Sequence, residues 1–484
     1  MEKENIQKKE KTYSQDEITL NNYANSLGFE TLIKGNAESN YKKKWYPKNI
    51  NTYRDALNID MQDLRCSCLK NNIACNMQYL EFLQKEMDEL EVSSPLHRII
   101  HKGFFVTADA IIEGILQYFV YIYSPEKGTP TFIELIDILK DKKEKAHIPG
   151  LDEEYYTFLH WIRLYRNGSH ILRPNNSDIP QLDYYTYTKR NVMLIRCAIH
   201  ELLTLPSISS KPEQFDFLKP SNEDLKKYRK AKHKIWLERE AEKNGAQKRK
   251  YKASTENTKR TKPELDESLN DKANRLPFNT LLKGATSRSF AHKWYPISIE
   301  RYRKAIFIKN PEDSQLKLLR NNLSYQLQYL EYLQKIHNEL ALSDPLLRIV
   351  NKDFCISGAA TLEGLFICVS GKRRHKRLSW QTGNLRFSPE ILGIDDSVYK
   401  TIYDIEKLRN SIHLFPKIDT DEGNSDTAEG HQENEIRKDD YTTFTDDKKE
   451  LIQTILYQIL TNPAVTNNPT LFQFLKPTEN SYTQ

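Results

Sequence analysis

The sequence predicts an all-α protein, and three observations carry that expectation. Apolar residues recur at the three- and four-residue steps of a helix, no segment keeps the apolar–polar alternation of a half-buried strand, and the same succession of helix-like segments occurs twice in the 484 residues. The two occurrences match in order. ANSLGFETLIKG from Ala24 answers ANRLPFNTLLKG from Ala273, and KKWYPKNINTYRDAL from Lys43 answers HKWYPISIERYRKAI from His292. MQYLEFLQKEMDELEVSSPLHRIIHKGF is matched by LQYLEYLQKIHNELALSDPLLRIVNKDF, ADAIIEGIL by GAATLEGLF, and the closing FDFLKPSNE by FQFLKPTEN. The fold class is therefore two diverged copies of a helical-bundle unit joined by a charged, partly helical linker. The expected organisation is a disordered segment over 1–23, unit one over 24–222, a basic linker over 223–272 and unit two over 273–480.

Within each unit the elements follow from local signals. A helix is expected near Tyr53 and Tyr302, and a long one over 69–90 and 319–340, where apolar residues run at helical spacing. Ser-Ser-Pro at 93–95 and Ser-Asp-Pro at 343–345 place a capping residue before a proline, which starts a helix cleanly. The helices carrying Glu113 and Glu363 follow, then a helix ending in LYRNGSHIL or KLRNSIHLF, then a last helix ending near Leu203 and Leu460. Unit one alone has TFIELIDILKDKKEKA from Thr131; unit two has the short basic stretch GKRRHKRLSWQTG in its place. Between the units, EDLKKYRKAKHKIWLEREAEKNG is rich in helix formers with a single apolar cluster, so a solvated helix is expected, followed by a flexible stretch without apolar periodicity.

Charge is localised. Residues 226–262 carry 15 Lys+Arg against 4 Asp+Glu, and taking that +11 from the overall +6 leaves −5 elsewhere. The segment has the composition of a phosphate-binding patch, although charge runs are more often solvated linkers. The six cysteines are too unevenly spread for a disulfide framework; Cys66, Cys68 and Cys75 are expected as buried thiols, since unit two has Leu316, Leu318 and Tyr325 in their places. No apolar leader opens the chain and no later segment reads as long and apolar enough to span a bilayer, so a cytoplasmic protein without membrane association is expected. Walker, dinucleotide-binding, nucleophile-elbow and His-Glu-x-x-His patterns are absent from the sequence, and no metal or other cofactor is expected.

The residues that carry chemistry lie in the repeated Arg-Asn-x-x-His. Leu159, Ile162, Arg166 and His170 share one helical face, as do Ile402, Ile405, Arg409 and His413. The upstream members should be buried, so the arginine must meet an acid, a carbonyl or a phosphate. An early helix with a Glu, a middle helix and then LYRNGSHIL together resemble the HEPN superfamily of helical domains, over about 93–205 and 343–461. HEPN ribonucleases carry Arg, often followed by Asn, and His after a gap of four to six residues; here the gap from Arg166 or Arg409 is three, whereas counted from Arg163 it is six, and unit two has Glu406 at that place.

The resemblance implies metal-independent RNA cleavage at a composite site built by the two units. Arg166 and Arg409 would hold the scissile phosphate, His170 and His413 would move protons or orient the ribose hydroxyl, Asn167 and Asn410 would fix the geometry, and Glu113 and Glu363 would reach the Arg or His from a facing helix. RNA is then the expected partner, with a regulatory protein and a second copy of the chain as further candidates and a toxin or antiviral defence effector as the biological setting. The competing reading is a non-catalytic RNA- or protein-binding repeat, in which Arg and His cap the last carbonyls of their helix. The Trp-Tyr-Pro segments with Trp45 and Trp294 are expected to be packing anchors.

Overall fold

The computed structural model describes residues 48–167 apart from 62, 91 and 129, and residues 186–243, 297–370 and 443–477. These residues are helical, and β pairing among them is limited to two isolated bridges, Leu57 with Ser209 and Ile306 with Thr466. From the first half come α1 (Ile50–Ala56), α2 (Leu64–Glu89), α3 (Ser94–Tyr123), α4 (Phe132–Lys140), α5 (Glu153–Asn167), α6 (Lys189–Leu203) and α7 (Asn222–Lys243). From the second come α8 (Ile299–Ala305), α9 (Ser314–Glu339), α10 (Asp344–Ser370) and α11 (Asp446–Leu460). Short 3-10 turns, Pro212–Leu218 and Pro469–Leu475, follow α6 and α11.

The helices begin where side chains can satisfy the first backbone donors. Asp63 accepts from the Cys66 amide at the start of α2, and Asp313 accepts from Gln315 and Leu316 at the start of α9. Glu134 reaches back from α4 to accept from both the amide and the hydroxyl of Thr131, which holds its carboxyl below the usual range. α3 opens with Pro95 behind Ser93, and its 30 residues include Glu113, so the proline-started segment and the glutamate-bearing one are a single helix.

Two sequence expectations are corrected here. α3 is long and apolar enough to cross a membrane by length and composition, yet 78% of its most apolar window is buried within the fold, packed by α2, α4, α6 and α9. α7 is not a solvated helix on all sides. Tyr228, Ala231 and Lys232, at helical spacing, form a buried stripe against α5 and α6. The Lys232 ammonium lies 3.2 Å from Asp152 and 3.0 Å from Glu201, while the Tyr228 hydroxyl donates to Glu201 at 2.6 Å, so the polar ends of the stripe are paired. The six cysteines are buried free thiols.

At the centre, α2 packs on α3 and α9 on α10, and the two pairs meet through α2–α10 and α3–α9. The junction is polar. The Tyr79 hydroxyl donates to Asp353 at 2.5 Å, Tyr329 donates to the same oxygen, and Tyr332 donates to Glu86 at 2.9 Å. Gly103, at the place of Asp353 in the first half, allows this approach, because a Cβ there would sit 3.1 Å from the Tyr329 hydroxyl and 3.7 Å from the Asp353 carboxylate. On the outer side, one glutamate in each half pins the residue after Trp-Tyr-Pro. Glu81 accepts from the Lys48 amide (2.9 Å) and Tyr53 (3.0 Å), and Glu331 from the Ile297 amide (2.7 Å) and Tyr302 (3.1 Å). Trp45 and Trp294 themselves lie outside the described residues.

Candidate functional site

The expected buried stripe on α5 is present: Leu159 and Ile162 are fully buried, and Arg166 continues it into the last turn. The arginine meets acid. Its Nη1 lies 2.6 Å from Glu113 Oε2 and its Nε 3.2 Å from Asp109 Oδ2, with the guanidinium carbon 5.8 Å from the centre of the Phe132 ring. Asp109 and Glu113 are four residues apart on α3, which puts both carboxylates on the face turned to α5.

The three groups are withdrawn from water, with side-chain exposures of 13% for Arg166, 0% for Asp109 and 4% for Glu113. The Arg166–Asp109 contact is an ion pair without hydrogen-bond alignment, since neither Asp109 oxygen has a hydrogen-bond donor. Burial therefore dominates at Asp109; together with the neighbouring Glu113 charge it overcomes the pull of Arg166 and pushes the carboxyl up to about 7. At Arg166 burial opposes the charge, but the two carboxylates outweigh it and hold the guanidinium above its usual value. One cation thus faces two buried carboxyls, of which Asp109 takes up a proton near neutrality.

Aromatic packing fixes the end of α5. The Tyr187 hydroxyl donates to the Tyr165 carbonyl at 3.1 Å, and Phe105 of α3 lies 5.9 Å from Tyr165 and 5.7 Å from Tyr187, centre to centre. His101, whose Nδ1 is 3.2 Å from the Tyr187 carbonyl, is drawn down to about 3 by burial and then by His97. It is a neutral ring in this core.

Of the residues singled out in the sequence, Arg166 and Glu113 are brought together. Asn167 closes α5, and Glu363 lies half-buried on α10. The Asn167 side chain, His170, Arg409, Asn410 and His413 lie outside the described residues. Sequence reasoning missed Asp109 and Phe132. The signal for Asp109 was its place one helical turn before Glu113 in ADAIIEGIL; the second half has Ala359 there, so the repeat itself drew attention away from it. Chemically, the triad can hold a guanidinium in one orientation at the end of α5 and store a proton beside it.

Comparison with known proteins gives no match, either to a family model, to a curated protein or to a solved structure.

Proposed function

We propose that this chain is a HEPN-like, metal-independent endoribonuclease acting in the cytosol, with its site assembled from the two Arg-Asn-x-x-His segments. The observation that carries the reading is Arg166 fixed by Asp109 and Glu113 at the end of α5, the helix that leads into His170. A guanidinium held at one orientation suits recognition of a phosphate whose position must be set before reaction. In this reading Arg166 and Arg409 hold the scissile phosphate. His170 and His413 take the proton of the ribose 2′-hydroxyl and return one to the leaving 5′-oxygen, giving a cyclic phosphate end. RNA is the substrate, a toxin or antiviral defence effector is the setting, and a regulatory protein or a second copy of the chain is the partner that would control it.

One observation favours a second reading, a non-catalytic RNA- or protein-binding helical protein. The Arg166 charge is already met by two buried carboxylates, which is how a structural ion pair is built. Incubating labelled RNA with the purified chain in EDTA, beside a His170→Ala/His413→Ala variant, separates the two. Cleavage by the wild type that the variant loses supports the nuclease; RNA bound and left intact by both supports the binder.

A further inference from the structure

The outer face of α7 carries a row of positive charge with few acids to meet it. Residues 226–234 have six Lys+Arg and no Asp or Glu, whereas residues 238–243 intersperse three Glu with Arg239 and Lys243. The second stretch has the mixed charges of an ordinary solvated helix, and the first does not. Of its six cations only Lys232 turns inward, where Asp152 and Glu201 meet it. Lys226, Lys227, Arg229, Lys230 and Lys234 are exposed.

Two of these five reach acids beyond the ends of the run, Lys227 to Glu223 at 2.5 Å and Lys234 to Glu238 at 3.7 Å, and such exposed pairs contribute little. Lys226, Arg229 and Lys230 make no ion pair among the described residues. The steps from Lys226 to Lys230 to Lys234 set like charges one turn apart, about 6 Å along the axis, which by itself costs helix stability. A polyanion laid along the face relieves that repulsion and sheds its own counterions.

The helix that presents this row is braced. Tyr228 and Ala231 are buried against α5 and α6, Arg196 reaches Asp224 at 3.0 Å, and His233 lies 2.7 Å from Glu154. Among the described residues of α7, Leu237 is the one large apolar side chain that is exposed. The face therefore has neither the apolar stripe that enters a membrane nor the exposed aromatic anchors of a protein-binding hot spot.

We propose that the outer face of α7, centred on Lys226, Arg229 and Lys230, docks the phosphate backbone of a single-stranded RNA. One row of cations follows one backbone, as in grooves that track single strands. The choice of RNA rests on the nuclease reading, since α7 packs on α5, whose last turn carries Arg166; the docking itself needs no cleavage.

The test is fluorescence anisotropy of a labelled oligouridylate with the full chain carrying His170→Ala/His413→Ala, so that binding is read on an intact strand. Lys226→Gln/Arg229→Gln/Lys230→Gln removes the three cations that lack an ion pair and keeps good helix formers in their places. It should weaken binding at least about tenfold at about 50 mM salt and cut the slope of log K against log salt by about 2, at roughly 0.7 per phosphate contact. Lys304→Gln/Lys309→Gln/Lys317→Gln removes the same charge from exposed positions of the second half and should change affinity less than about twofold. RNA cleavage is scored separately on the chain with both histidines intact, and its absence counts against the nuclease reading without touching the docking result. No RNA binding by the parent chain, equal losses in the two triple variants, or an α7 variant of unchanged circular dichroism that keeps its affinity overturns the proposal. So does binding to phosphatidylserine vesicles, in place of RNA, that the α7 variant alone loses.

Discussion

α2 and α9 do the same work on their outer faces and different work where they meet the other half. Outward, Glu81 and Glu331 each accept from a backbone amide and a tyrosine hydroxyl, with near-identical distances. Inward, Glu86 of α2 accepts from Tyr332 of α9, while the counterparts of that pair, Ile336 and Phe82, are apolar. Asp353 of α10 takes both Tyr79 and Tyr329, and its counterpart is Gly103. A contact made within one half is repeated because each half must satisfy it separately. A contact made across the junction occurs once, and repeating it would bury a second carboxylate beside the first. The Arg166 triad departs from this rule: it lies within the first half, yet only Glu113 has an acidic counterpart, Glu363, while Asp109 has Ala359.

The largest effect expected from breaking this asymmetry is at the triad. Arg166→Ala leaves Asp109 and Glu113 buried without their cation and should lower unfolding stability by about 3–5 kcal/mol, read from the urea midpoint. Adding Asp109→Ala, the residue of the second half, should restore part of that loss. A double variant no better than the single one would show that Asp109 carries no strain.

The pH profile comes next. Glu86 and Glu331 are pushed up to about 8 and Asp109 to about 7, in each case first by burial. All three keep in the fold a proton that the unfolded chain releases at about pH 4 to 4.5, so the stability they contribute is full below that and is lost progressively as pH rises to their folded values of about 7 to 8, by about 1 kcal/mol per pH unit for each group. His101, held at about 3, and His160, at about 4, act with the opposite sign: the unfolded chain protonates them below about pH 6.5 and stability falls as pH drops. The melting temperature should therefore fall between about pH 6.5 and 8, where the histidines no longer contribute, and Glu86→Gln should flatten that limb. Stability that climbs from pH 7 to 8.5 would contradict the assignment of buried, protonated acids.

A smaller change sharpens the junction itself. Tyr332→Phe places in the second half the residue the first half already has, and removes the Glu86 donor at a cost of about 1–3 kcal/mol in chemical denaturation. Glu86→Ile combined with Tyr332→Phe removes both partners at once and should return to within about 1 kcal/mol of wild type. If the double variant is as unstable as the two singles summed, Glu86 and Tyr332 do not act as a pair.

Much of the helical pattern could be read directly. The Ser-Ser-Pro start, the apolar spacing of α2 and α9, and the last helices ending at Leu203 and Leu460 are local signals, and the helices form where those signals lie. The candidate site was half legible. Arg166 and Glu113 stood out because they recur in both halves, whereas Asp109 does not recur. α7 was misjudged because its stripe of Tyr228, Ala231 and Lys232 reads as charged until Asp152, just ahead of α5, and Glu201 of α6 meet the lysine. The expectation that no run is long and apolar enough to span a bilayer failed at α3, because its length emerges only when the proline-started segment and the Glu113 segment join as one helix.

The sequence by itself determined that the described residues are helical and about where most helices lie, because spacing, caps and prolines act over a few residues. α2 and α9 nonetheless start at Leu64 and Ser314, ahead of the expected 69 and 319. Only the tertiary structure decided which polar groups meet: Asp109 with Arg166, Glu86 with Tyr332, and Asp353 with two tyrosines. Those meetings join residues far apart in the chain, and whether a buried charge is paired or protonated depends on groups that no local pattern identifies.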